Sequence, residues 1–223
     1  MDRCREIGVE WVRRPTGGRL ILHDAELTYS VVASEADPLV SGGIIESYRK
    51  ISLALARALE ILGVSPQFAD PSDPKVAAAS RAKGGLCFDA AAGYELTVSG
   101  RKIAGSAQLR RRGAILQHGS LLIDFDVGLL HAVVTEAARK PLREFATEFE
   151  SEVTSIRHVL GTRPSLAEVA SALRQGFSLA WDIDLVEGDL GAHERARAEV
   201  LRRKYASDEW NLGRDGYQSD RLT

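Results

Sequence analysis

A cysteine and a lysine on either side of one predicted hairpin are the residues of this sequence best suited to covalent chemistry. Cys87 follows Gly84-Gly85, and Lys102 lies just past Ser99-Gly100. A cysteine with no partner often serves only as a small hydrophobe, but a neighbouring lysine favours the thiolate, which is the nucleophilic form. If Ser99-Gly100 forms a two-residue turn, Val98 pairs with Arg101 and Thr97 with Lys102. That register puts Lys102 on the face of Glu95 and Thr97, away from Tyr94, Leu96 and Val98. Gly105-Ser106-Ala107 adds little bulk beside it, so the spacing predicts a lysine that a substrate can reach. The plainer alternative is a surface cation on a strand.

A second group of residues could hold a polar ligand. In Arg13-Arg14-Pro15-Thr16-Gly17-Gly18-Arg19, two glycines let backbone N–H groups approach a carboxylate, phosphate or oxyanion, and the arginines supply charge. A tight turn with solvated arginines would read the same way. His23-Asp24 closes the segment and could pin it. Arg110, Arg111 and Arg112 form the densest positive run. Residues 99 to 113 carry Arg101, Lys102 and these three arginines with no acid among them, a patch able to steer an acidic protein or merely to keep a hairpin solvated. The five histidines show no metal-ligand spacing. Neither a Gly-x-x-x-x-Gly-Lys-Ser/Thr loop nor a G-x-G-x-x-G after a strand is present. No metal and no cofactor is expected.

Those residues need elements to place them. Short strands are predicted over 9–13 and 27–33, the latter from alternating Leu27, Tyr29 and Val31. Ile45, Tyr48, Ser52, Leu55, Leu59 and Leu62 recur at helical spacing, and Gly63 stands at a C-cap position. Hairpin strands are predicted around Ser99-Gly100, with a return strand from Arg101 towards Arg110 and another over 114–123. From Val127 the pattern is helical, broken near Pro141 and Gly161. Ser165-Leu166-Ala167-Glu168 is a capping box opening a helix with Leu166, Val169, Ala170, Leu173 and Phe177 on its apolar face. A charged helix is predicted over 192–205. Strands come mainly before helices, so the class is α+β. The organisation read from this is a core over 1–160 and a helical extension of the same domain over 161–223.

Composition narrows the function classes. The chain has 223 residues, 29 Lys+Arg against 31 Asp+Glu, and 44 % hydrophobic residues. That is an ordinary globular balance, large enough to close a core without a disulfide or metal. Near-neutral charge argues against nucleic acid as a partner. The charged start and the lack of an ~18-residue apolar run argue against a signal peptide and a membrane span. Two widely spaced cysteines fit reduced thiols and a cytoplasmic location.

Taken together, the segments resemble the biotin/lipoate A/B protein ligase family, in particular its cysteine-dependent octanoyl-carrier-protein:protein octanoyltransferases. The resemblance rests on Arg13-Arg-Pro-Thr-Gly-Gly-Arg19, Leu22-His-Asp24, Glu26-Leu-Thr-Tyr-Ser30, Cys87-Phe88 and Tyr94-Glu-Leu96. It continues through Gly100-Arg-Lys-Ile-Ala-Gly-Ser-Ala-Gln108, Leu116-Gln-His-Gly-Ser120 and Lys204-Tyr-Ala-Ser-Asp-Glu-Trp-Asn211. It implies a mixed sheet flanked by helices. It also implies an octanoyl or lipoyl group carried from acyl carrier protein, through a Cys87 thioester, to a lysine of a lipoyl-accepting domain of the glycine-cleavage H-protein or dehydrogenase E2 type. Cys87 matches the nucleophile and Lys102 the lysine beside the acyl carbonyl. Arg14, Thr16, Gly17, Gly18, Arg19, His23, Asp24, Gly105, Ser106, His118 and Gly119 fall at substrate-binding positions.

The chain departs from that pattern in two places. Family members carry a helix and strands before the Arg-Arg-x-Thr-Gly-Gly segment, whereas a dozen residues precede it here. The core is therefore read as short at its N-terminus, with the apolar run Leu20-Ile21-Leu22 expected to want cover. The loop Asp89-Ala-Ala-Ala-Gly93 is also alanine-rich for the family. Two alternatives share the fold: an ATP-dependent lipoate–protein ligase, and a non-catalytic carrier-binding paralogue. Arg19, standing where ligases tend to have a third glycine, and Cys87 both argue against the ligase.

Overall fold

The computed structural model describes residues 2–16, 20–74, 76, 94–134 and 140–213. Cys87, Gly17, Gly18 and Arg19 lie outside these residues, as does the alanine-rich loop. The chain divides into two compact units, one of residues 18–185 and one joining residues 1–17 to 186–223.

The larger unit is built on β1 (Glu26–Ser34), β5 (Ala104–Arg111) and β6 (Ala114–Leu122), which form an antiparallel sheet in the order β1-β6-β5. A smaller antiparallel sheet holds β2 (Gln67–Phe68), β3 (Leu96–Val98) and β4 (Arg101–Lys102). The return strand expected to run unbroken from Arg101 breaks at Ile103. There the amide of Ile103 donates to Leu96 in one sheet, and its carbonyl accepts from Leu122 in the other, each at 3.1 Å. A residue that serves two sheets cannot continue either ladder.

Alternation along the strands gives the large sheet two faces. Tyr29, Gln117, Gly119, Ile115, Ala104 and Ser106 share one face by register. It is covered by α2 (Ile44–Ile61) and a later helix over Leu166–Trp181, whose Ile51, Leu55, Leu59, Val169 and Phe177 complete the main core. The two helices touch closely. A Cβ on Gly176 would lie 2.6 Å from the carbonyl oxygen of Ala54, so that crossing requires glycine. The helix does begin at the predicted capping box, with Ser165 Oγ accepting from Glu168 N at 3.2 Å. Its buried stripe is nevertheless rotated from the expected one: Ala172 and Gly176 are inside and Leu166 is out.

Between sheet and capped helix lie α3 (Val127–Val133), α4 (Leu142–Glu152) and α5 (Ile156–Leu160), which makes Leu166–Trp181 α6. Phe145 and Phe149 of α4 join Leu122, Leu130 and Val153 in a second cluster, against which Ile21 and Leu22 pack half-buried. Leu20 remains 51 % exposed.

The smaller unit contains α1 (Asp2–Glu6), α7 (Ala192–Ala206) and α8 (Asp208–Leu212). The strand expected over 9–13 is absent. The backbone of Arg13 is held by side chains instead, its N–H donating to Asn211 Oδ1 at 2.8 Å and its carbonyl accepting from Trp210 Nε1 at 2.7 Å. No helix among the described residues is long and apolar enough to cross a membrane.

Candidate functional site

Lys102 is placed by the turn. Ser99 and Gly100 both have positive φ, 52° and 77°, and the register is Thr97 with Lys102 and Val98 with Arg101, as the spacing predicts. The strand is fixed from its other side by Thr154, whose amide donates to the carbonyl of Lys102 at 2.9 Å. The side chain is neither a surface cation nor open to solvent. Lys102 is only 1 % exposed, and its Nζ donates to Glu95 at 2.8 Å. A buried ammonium needs a counter-charge with good geometry. Glu95, on the predicted face and itself buried, supplies it.

Behind this pair runs a chain of polar side chains on the helix-covered face. Tyr29 Oη shares a 2.6 Å hydrogen bond with Ser106 Oγ and accepts from Gln117 Nε2 at 3.2 Å. Gln117 Oε1 accepts from Gln108 Nε2 at 3.0 Å. Gln108 meets Ser47, and Ser47 Oγ accepts from Arg110 at 2.7 Å. Burial pushes the Tyr29 phenol above its ordinary value; the negative charge of Glu95 adds to this, and the bonds from Ser106 and Gln117 offset only part. Tyr29 is thus a neutral hydroxyl at neutral pH. Gly119 makes room for it, since a Cβ there would stand 2.2 Å from the Gly105 carbonyl oxygen and 2.9 Å from the Tyr29 ring.

The substrate positions on β5 and β6 fall on two faces of the large sheet. Ser106 and Gly119 face the helices with Tyr29, while Gly105, His118 and Ser120 belong to the opposite face by register. On that opposite face His23 Nδ1 is hydrogen-bonded to Glu26 Oε1, which also accepts from Ser120 Oγ at 2.8 Å. Glu26 Oε2 is buried with no hydrogen-bond partner. Asp24 Oδ2 accepts from the amide of Asp126 at 3.2 Å, tying the segment to the N-terminus of α3. Arg14 and Thr16 are half-buried in the smaller unit.

Of the expected docking arginines, Arg110 is committed internally. It also donates to the Gly43 carbonyl at 3.0 Å and to Gln108 at 3.2 Å. Arg112 sits exposed in the β5–β6 turn. Among the described residues no group of three His, Cys, Asp or Glu side chains could hold a metal ion.

Sequence reasoning missed several residues that the structure brings into play. Glu95 was legible only as a face-mate of Lys102. Tyr29 and Gln117 lie in apolar-face register, and that is the signal: polar side chains there must find partners. A cleft of about 820 Å³ lined by Asp24, Asp124, Asp126, Arg157, His158 and Arg163 had no sequence signature. In it Asp124 accepts from Arg157 at 2.7 Å. Burial raises the Asp124 carboxyl, but the Arg157 hydrogen bond, the Phe125 amide and the charges of Arg157 and Arg163 outweigh it and hold it below the usual carboxylate range.

Comparison with known proteins shows the family. The family described as Lipoyl protein ligase A/B catalytic domain matches residues 1–178. Octanoyltransferase LipM of Kyrpidia tusciae is 45 % identical over 207 residues, covering 92 % of this chain and 74 % of that protein. Octanoyltransferase LipM of Symbiobacterium thermophilum is 42 % identical, over 95 % of this chain and 77 % of its own. Among solved structures, the bi-partite lipoate protein ligase of Thermoplasma acidophilum is similar with a TM-score of 0.73 at 28 % identity, over 95 % of this chain and 74 % of that one.

Proposed function

We propose that this chain, which belongs to the lipoyl protein ligase A/B catalytic domain family, is an octanoyltransferase of protein lipoylation. It takes an octanoyl group from acyl carrier protein and delivers it to a lysine of a lipoyl-accepting domain. The observation that carries the reading is the extended identity with relatives named octanoyltransferases. The reaction falls into two steps. The Cys87 thiolate attacks the donor thioester, the carrier thiol leaves, and the acyl group rests on sulfur. The acceptor amine then attacks that thioester, forming an amide and returning the thiol. An acyl thioester is already activated, so neither step consumes a nucleotide.

Lys102 is assigned to the acyl carbonyl, where a fixed ammonium stabilises the negative charge that develops on oxygen. Its burial and its bond to Glu95 support that role, because a side chain locked in place spends little on reorganisation during the reaction. Gly105 and Ser106 follow on the same stretch of chain. Arg14, Thr16, Gly17, Gly18, Arg19, His23, Asp24, His118 and Gly119 are assigned to substrate. Arg111 and Arg112, more than Arg110, are assigned to docking acidic carrier or acceptor domains, of H-protein or E2 type. A cytoplasmic setting fits two cysteines too far apart in sequence to suggest a framework.

The likeness to a solved lipoate protein ligase favours one competing reading, activation of a free acid by ATP. Incubation with octanoyl-acyl carrier protein in the absence of nucleotide separates the two. A hydroxylamine-labile octanoyl adduct, followed by transfer to an acceptor domain, is the expected result. Transfer that requires ATP and free acid would overturn it.

A further inference from the structure

Glu26 is a carboxylate with one oxygen to spare. Its side chain is 4 % exposed, and its Oε1 is shared by His23 Nδ1 and by Ser120 Oγ, the latter donating at 2.8 Å. Its Oε2 is buried and has no hydrogen-bond partner among the described residues. Leaving such an oxygen unpaired in the interior costs free energy, so a native site supplies a partner. A carboxylate only accepts, so the group that completes it is a donor, and a cationic donor makes the strongest bond.

Space for that donor lies beside it. Glu26 lines a cavity of about 30 Å³ whose apolar wall includes Leu22, Leu122, Leu130 and Phe149. A volume of that size takes a group as large as a water molecule, and an amine head group is no larger. Asp24, Asp124 and Asp126 also line the cavity, and the same three carboxylates line the adjoining cleft of about 820 Å³. Arg157 and Arg163 of that cleft both lie against Asp124, at 2.7 and 4.0 Å. Asp24, Asp126 and Glu150 have no arginine partner among the described residues, so the approach is acidic and favours a cation over an anion. The location fits as well. Leu122 N donates to the Ile103 carbonyl at 3.1 Å, and Val153, which packs with Leu122 and Phe149, bridges to Lys102. The cavity wall therefore adjoins the strand that carries the residue assigned to the acyl carbonyl.

We infer that the cavity and cleft form the subsite for the acceptor's lysine side chain, with the ammonium held by Glu26 Oε2 and the methylenes against the apolar wall. This rests on the octanoyltransferase reading, which makes a lysine-bearing domain the second substrate. The two halves of the site match the two halves of a lysine: four methylenes suit leucine and phenylalanine, and the charged tip suits a carboxylate. A neutral side chain of the same length would fill the space and leave Oε2 unpaired, which is how the site tells lysine from an apolar residue. The subsite fixes where the nitrogen stands, not which group later takes its proton.

The test is a binding measurement on the full chain without an acyl group, so that nothing reacts. An E2-type lipoyl-accepting domain is titrated by calorimetry, and so is the same domain with its target lysine replaced by methionine. The unaltered chain should bind the methionine form at least about tenfold more weakly, the worth of a hydrogen bond between charged groups. Glu26→Gln, which keeps the shape and loses the charge, should bind both forms alike and no more tightly than the unaltered chain binds the methionine form. Equal affinity of the unaltered chain for the two domains, or an undiminished preference in Glu26→Gln, would overturn the subsite. The first comparison needs no substitution in this chain, so it decides even where Glu26→Gln fails to fold. Loading from octanoyl-acyl carrier protein is scored alongside. A chain that prefers the lysine but never loads would fail the octanoyltransferase reading alone, and one that loads and transfers without preferring the lysine would fail this one alone.

Discussion

Lys102 is an ammonium almost sealed from water, and Glu95 is what makes that position tolerable. Breaking a buried ion pair of this kind by removing one partner costs ~3–5 kcal/mol. Lys102→Met should therefore lower thermal stability as well as activity. Pairing it with Glu95→Leu should recover much of the stability and none of the activity. Chemical denaturation of the single and double variants checks this, and a double variant no more stable than the single would show that the pair is not the reason. Gly119→Ala makes a second prediction at this scale. A methyl placed 2.2 Å from the Gly105 carbonyl oxygen forces the backbone to move, so a loss of ~1–3 kcal/mol is expected by equilibrium unfolding. The sequence made the register of Lys102 readable, because alternation fixes which residues share a face. It did not make burial readable, because a lysine beside small residues looks the same whether the space above is filled or empty.

At the scale of elements, the local signals that proved legible were those with a stereochemical cause. They include the Ser99-Gly100 turn, the Ser165/Glu168 capping box and the Gly161 helix end, which adopts φ 74°. What stayed hidden depended on distant partners. The segment over 9–13 reads as a strand until Trp210 and Asn211, nearly 200 residues away, take both backbone groups of Arg13. Asn211→Ala should release one of them, speeding amide exchange at Arg13 by about fivefold or more, since a hydrogen bond is worth ~1 kcal/mol or more. Hydrogen exchange read by mass spectrometry would show it, and unchanged protection would discount the clamp.

The Asp124–Arg157 contact makes an element-scale prediction with a pH signature. Asp124 titrates below its unfolded value of ~3.9 when folded. It therefore contributes stability above that pH and loses it as pH falls through the folded value. Asp124→Asn should lower Tm at pH 7, with the difference closing below about pH 4. A gap constant with pH would mean that shape, not charge, is responsible.

For the molecule as a whole, near-neutral net charge conceals a local asymmetry in the stretch 99–113. Within that stretch the arginines differ in exposure. Arg110 ties β5 to the start of α2 through Gly43 and Ser47, whereas Arg112 is exposed at a turn tip. Arg112→Glu should thus raise KM for carrier and acceptor proteins and spare reaction with a small octanoyl thioester. The effect should shrink in 1 M salt, where screening acts over ~3 Å. The overall α+β architecture could be read ahead of the structure because periodicity switches from two to three-and-a-half along the chain. The division into a unit of 18–185 and one joining both ends could not, because pairing of the two ends of a chain depends on contacts far apart in sequence.

The central claim is a covalent octanoyl intermediate on Cys87, and intact-protein mass spectrometry after incubation with octanoyl-acyl carrier protein tests it most directly. The unaltered chain and Cys4→Ser are predicted to gain one octanoyl group that hydroxylamine removes, and Cys87→Ser to gain none. A Cys87→Ser protein that still acquires an octanoyl group and passes it to an acceptor domain would contradict the account.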